Sequence, residues 1–180
     1  SRLPVSQAEA PASLIEKYHQ DAIDQGARIR EGLSKAVEQS ILGFANGFLN
    51  HQDNEALRQK VASGQITPVE YYQCLLRLIY RFLFLLVIEE RRLIFPPNVQ
   101  ARKRDIYYNH YSLQRMRRLA EHPHLAERKH KDLWQSVQAT FRLFEADGPG
   151  EKLDINPLAG ELFGQDAIGP FNECSLDNGT

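Results

Sequence analysis

Cysteine is scarce: 180 residues hold two, Cys74 in an apolar run and Cys174 in a loop-like tail. Two thiols so placed do not make a disulfide framework, and such sparse use fits a reducing, cytoplasmic setting. Net charge is scarce as well. Lys+Arg 22 against Asp+Glu 23 leaves −1, so no overall charge advertises a nucleic-acid or membrane partner. The start, Ser1-Arg2-Leu3-Pro4, has no apolar core and is not expected to be a signal peptide. The most apolar run, Leu75 to Ile88, contains Arg77 and Arg81. It falls short of the roughly 20 apolar residues that a membrane span needs, so a buried core helix is expected and no membrane partner. Gly-x-Ser-x-Gly, the P-loop, Gly-x-Gly-x-x-Gly and helical His-Glu-x-x-His are all absent, as is any cysteine pair at zinc spacing. No catalytic, cofactor-binding or metal-ligating residue is assigned.

Helical signals are plentiful. Residues 1–12 read as a disordered or linking stretch. Ser13 and Glu16 have capping-box spacing, and Ile15, Tyr18, Ala22, Ile29, Leu33, Ala36, Val37, Ile41, Ala45 and Phe48 then recur at steps of three and four. That pattern predicts a long amphipathic helix to about Leu49, with a kink possible at Gly26 or Gly32. A short helix after Asp53 should end at Gly64. Thr67 as N-cap, Pro68 at N1 and Glu70 at N3 open the best-signed helix of the chain. It is expected to run to Leu93, central, apolar nearly all round and buried on most sides, with Pro96-Pro97 forbidding continuation. Leu83 is expected in its core.

Residues 98–111 read as an irregular basic link. Ser112 is placed to cap a helix through Glu121, and Pro123 to open another, with Leu133, Trp134, Val137, Phe141 and Phe144 as its inner face and Gly148-Pro149-Gly150 as its end. The fold class is therefore all-α: a helical domain over 13–147, then a loop-rich tail over 148–180 leading to a further domain. Ser1-Arg2 and Asp177-Asn178-Gly179-Thr180 read like cut points in a longer protein.

The near-zero net charge hides an asymmetry. Residues 91–131 carry eleven basic side chains and three acids, whereas from Glu145 onward eight acids meet one lysine, Lys152. Clustered cations beside tyrosines suit phosphate contact with stacking, making Arg102, Lys103, Arg104, Tyr107, Tyr108, Arg115, Arg117 and Arg118 nucleic-acid candidates. The same cluster equally suits a solvated surface facing the acidic tail or a neighbouring domain. Arg77 and Arg81, four apart, share a helical face and call for structural partners such as Asp21, Asp24 or Glu38; Glu89 and Glu90 stand too far along the helix.

Three segments carry a resemblance: Tyr72 through Arg91, Tyr111-Ser112-Leu113-Gln114-Arg115-Met116-Arg117, and Asp132-Leu133-Trp134 with Phe141-Arg142-Leu143-Phe144. Followed by Leu158-Ala159-Gly160-Glu161-Leu162-Phe163, this order resembles the helical region of type II (IIG-like) restriction–modification proteins and of BREX- and DISARM-type phage-defence DNA methyltransferases. The resemblance implies a non-catalytic connector that positions an adenine-specific, S-adenosylmethionine-dependent methyltransferase domain on DNA, chiefly through phosphates. The alternative is a protein-interaction module that never touches DNA. The family's cofactor glycine motif and Asn-Pro-Pro-aromatic motif are missing here, and Asn156-Pro157-Leu158 does not replace the latter. Titration calorimetry with S-adenosylmethionine is accordingly expected to give no saturable heat; a binding isotherm would refute that.

Overall fold

The computed structural model is all-helical. It describes residues 14–122, 127, 130–158 and 160–180, with the backbone alone for 14–30. Among these residues six α-helices follow in order: α1 Leu14–Asn50, α2 Glu55–Ala62, α3 Pro68–Glu90, α4 Ala101–His110, α5 Leu113–Ala120 and α6 Asp132–Arg142. Three short 3-10 turns come after them, Pro149–Leu153, Glu161–Phe163 and Gly169–Asn172, and no strand occurs among the described residues. The chain divides into two compact units, Ser1–Ser40 and Ile41–Thr180. In the first, α1 runs unbroken through Gly26 and Gly32, and residues 31–36 and 38–40 are exposed. The expected Ser13 capping box and the linker over 1–12 lie outside the described residues.

In the second unit α3 is the central element. Its N-terminus forms as its sequence dictates: Glu70 N–H donates to Thr67 Oγ1 at 3.2 Å, and Thr67 N–H donates to Glu70 Oε2 at 2.8 Å. Tyr71, Leu75, Leu78, Ile79, Arg81, Leu85 and Glu89 are buried. Its other end comes at Glu90, three residues short of the Leu93 that the apolar run predicts. Arg92 adopts a left-handed φ of 56°, and Leu93 N–H donates to Ile88 O at 2.8 Å, closing the last turn.

The burial of α3 is also less complete than its composition suggests. Val69, Tyr72, Tyr80, Phe84 and Val87 are 41–64% exposed, so the helix has an apolar outer face rather than apolar neighbours on most sides. By length and composition alone this 23-residue helix would cross a membrane, but a third of its most apolar window is buried in the fold.

Three further segments depart from the sequence reading. Residues 101–110 form α4, not an irregular link. Its residues show no apolar stripe; one side chain, Tyr107, is buried, and tertiary packing supplies what periodicity does not. Helix α6 spans only Asp132–Arg142, and the expected start at Pro123 lies outside the described residues. It ends before Gly148 and Gly150 because the chain there folds back against the carbonyls of Arg142 and Leu143, leaving no space for a Cβ at either glycine.

The tail, read as loop, carries part of the core. Ile155, Phe163, Ile168, Phe171, Cys174 and Leu176 are buried in it. Phe171 stacks on Phe48 at 4.4 Å between ring centroids and meets the edge of Tyr71 at 5.3 Å. Trp134 sits edge-on to Phe48 at 5.2 Å.

Leu78 is fully buried, whereas Leu83 is half-buried at the margin of the outer face and not in the core as expected. Urea denaturation should therefore show Leu78→Ala losing about 2–5 kcal/mol, with a distinctly smaller loss for Leu83→Ala. Equal losses would contradict this placement of the core.

Candidate functional site

Two charged groups on the buried side of α3 organise what surrounds them. Arg81 is fully buried. Its Nε donates to Leu162 O and its Nη2 to Gly164 O, both at 2.6 Å, and Glu145 Oε1 stands 3.7 Å from Nη1. The rings of Phe141 and Phe163 lie 5.3 and 5.4 Å from the guanidinium carbon, within cation–π range. Burial pushes the Arg81 pKa down and that of Glu145 up, and each charge partly offsets the other's shift. The acid facing Arg81 is thus Glu145, on the turn after α6. Of the partners expected from sequence, Glu38 is exposed, and Asp21 and Asp24 have side chains outside the described residues. Arg77, expected to share the burial of Arg81, is exposed and reaches only Ala167 O at 3.4 Å. Four residues advance a helix by 400°, and the 40° offset turns Arg77 outward.

At the other end of α3, Glu89 is buried and hydrogen-bonded through both carboxylate oxygens. It accepts from Tyr107 Oη at 2.7 Å, Leu113 N–H at 2.8 Å and Gln114 N–H at 3.1 Å, so it binds the first turn of α5 and holds α4 beside it. Ser112 caps α5 as expected, its Oγ accepting from Arg115 N–H at 3.2 Å. The sequence reading named Glu89 only as out of reach of Arg81, although it continues the inner series of buried Leu78, half-buried Phe82 and buried Leu85 at steps of four and three. Asn54 was missed too. Its side chain donates to Phe48 O and Ser175 O and accepts from Ser175 N–H, each at 2.8 Å, fastening the tail to the end of α1.

The nucleic-acid candidates do not form one free surface. Tyr107 is fully buried against Glu89 and cannot stack on a base, which corrects its selection. Tyr108 is half-buried, and burial raises its phenol pKa. Lys103 pairs with Asp154 at 2.8 Å, one point where the basic segment meets the acidic tail. Arg104 donates to Pro97 O at 2.7 Å, closing the turn between α3 and α4. Arg117 pairs with Glu121 at 2.8 Å, and Arg115 is half-buried. Arg102 and Arg118 are exposed, as are Arg91 and Arg92 outside the candidate set.

Beside these cations an apolar surface stays open. Leu83, Leu86 and Val87 of α3 floor a groove of about 760 Å³ against α5, edged by Arg91, Arg117 and Arg118. It adjoins the exposed face of α3. Burial pushes the Cys174 thiol up to about 11 and raises that of Cys74, so neither is an activated nucleophile. Among the described residues no three of His, Cys, Asp and Glu gather as a metal site would require. No family model, curated protein or solved structure matches the chain.

Arg81→Met removes the donors of two tail carbonyls and leaves Glu145 without its cation. It should cost about 3–5 kcal/mol in urea denaturation, the range for breaking a buried charge pair. A loss below that of an ordinary surface substitution would show that the tail is held without it.

Proposed function

We propose that this chain is a non-catalytic docking module that holds a protein partner against the outer face of α3. The observation that carries this reading is the exposed apolar series Val69, Tyr72, Tyr80, Phe84 and Val87 on a helix whose opposite side is the core. Contiguous exposed apolar surface of this kind marks interaction sites. Arg81, Glu89 and Tyr107 are each engaged in holding the fold, with Arg81 Nη1 facing Glu145 at 3.7 Å without a hydrogen bond. Tyr80→p-benzoylphenylalanine, photolysed in cells making the protein, should give a covalent protein adduct. A site moved to Arg102 serves as the control. Absence of any protein adduct from position 80 would overturn the docking reading.

A second reading follows from the exposed cations Arg91, Arg92, Arg102 and Arg118. It is the one the restriction–modification resemblance implies, in which the chain rests on DNA phosphates and places a methyltransferase domain of its parent. Replacing Arg91, Arg102 and Arg118 by Gln should then weaken duplex binding about equally for any sequence. The salt slope should fall by roughly 0.9 for each phosphate no longer neutralised. Indistinguishable gel shifts for variant and parent at low salt would end this reading.

A further inference from the structure

The outer face of α3 carries the same spacing as its inner face, where Tyr71, Leu75, Leu78, Phe82, Leu85 and Glu89 stand at steps of four and three. Val69, Leu76 and Leu83 repeat every seven residues, and so do Gln73, Tyr80 and Val87, interleaved at steps of four and three. That is the a/d seam of a left-handed two-helix contact, with Gln73, Tyr80 and Val87 at a and Val69, Leu76 and Leu83 at d. Its members are exposed or half-buried, and the seam runs over about 27 Å of helix. Within the fold α3 packs against α5, and an outward stripe with the spacing of the inner one offers a further helix the same kind of seating. The flanking e positions are Glu70, Arg77, Phe84 and Arg91, all exposed.

Resting on the docking reading, we infer that the partner is a second copy of this chain, with the two α3 helices packed antiparallel about a two-fold axis. The charge pattern selects that occupant. Antiparallel helices bring e positions opposite e positions, and the register that layers Tyr80 on Leu83 of the second copy, and Leu76 on Val87, sets Glu70 opposite Arg91. It also sets Arg77 over Phe84, a cation on an aromatic ring. The two-fold repeats each pairing, so the seam is self-complementary as a closed dimer requires. Within one copy, Glu70 uses Oε2 for the capping box, and among the described residues no hydrogen bond occupies its Oε1. Arg91 makes no ion pair among those residues either. At the ends of the seam Gln73 meets Glu90, a polar layer of the kind that fixes register.

Sedimentation velocity on the full chain, across a concentration series up to the solubility limit, tests this. The wild type is expected to shift from monomer to dimer. Tyr80→Glu, which puts two carboxylates near the axis from an outward position, should abolish the dimer while leaving the thermal melt of the monomer unchanged. Arg91→Glu should raise the dissociation constant about tenfold, through the broken pairs and new repulsion with Glu70. Adding Glu70→Lys should recover most of that affinity by exchanging the signs of the pair, with the melt reporting the cost of the broken capping box separately. A wild type that stays monomeric at every concentration overturns the inference. So does a dimer indifferent to Tyr80→Glu, or a monomer that instead floats with phosphatidylcholine vesicles. The docking reading is separable: a monomeric chain whose position-80 crosslink captures a different protein ends the homodimer alone, whereas no adduct ends both.

Discussion

A guanidinium sealed inside an apolar helix is the constraint on which most of this fold turns. Arg81 cannot stay in the core without acceptors, and the acceptors it finds are the carbonyls of Leu162 and Gly164 with the Glu145 carboxylate close by. Those carbonyls belong to chain in short 3-10 turns, which does not satisfy all its own backbone groups. Each side solves the other's problem. The tail is thereby drawn over α3 and α6, and its Phe163, Ile168 and Phe171 complete the core. Trp134 Nε1 donating to Cys174 O at 2.7 Å and Gln138 Nε2 donating to Asn172 O at 2.9 Å repeat the device further along.

Glu89 plays the matching part at the opposite end of α3, where the exposed N–H groups at the start of α5 take the place of the tail carbonyls. A cation and an anion on one helix thus fix the irregular tail at one end of it and the start of α5 at the other. Charges that sequence inspection would assign to ligands are absorbed by architecture, and the same holds for Lys103 and Arg104 in the basic segment. The surface left unspent is the outer side of α3, where Val69, Tyr72, Tyr80 and Val87 stay exposed and Phe84, edge-on to Phe163 at 5.8 Å, marks its border with the tail.

Helix starts were legible because their chemistry is local. Thr67, Pro68 and Glu70, or Ser112 with the Arg115 N–H, satisfy one another within a single turn, so spacing alone suffices. Gly64, with φ of 75°, was legible for the same reason. The sequence reading took Arg77 and Arg81 together because it considered one helix at a time, and a 40° difference in direction decides between water and core only once the neighbours are placed. Tyr107 looked like a stacking residue for want of the knowledge that Glu89 lies beneath it.

By itself, then, the sequence determined the all-α class, the centrality of α3, and several helix boundaries, all of which follow from hydrogen bonds and periodicity within a few residues. It also determined the seven-residue repeat on the outer face of α3, though not that this face would be left open. Only the tertiary structure decided that residues 101–110 are helical, that the tail belongs to the core, and which charges are spent inside. Those outcomes depend on partners 18 to 121 positions away in the chain, as from Tyr107 to Glu89 and from Asn54 to Ser175. The burial and hydrogen bonding that stabilise them exist only after the chain has closed on itself.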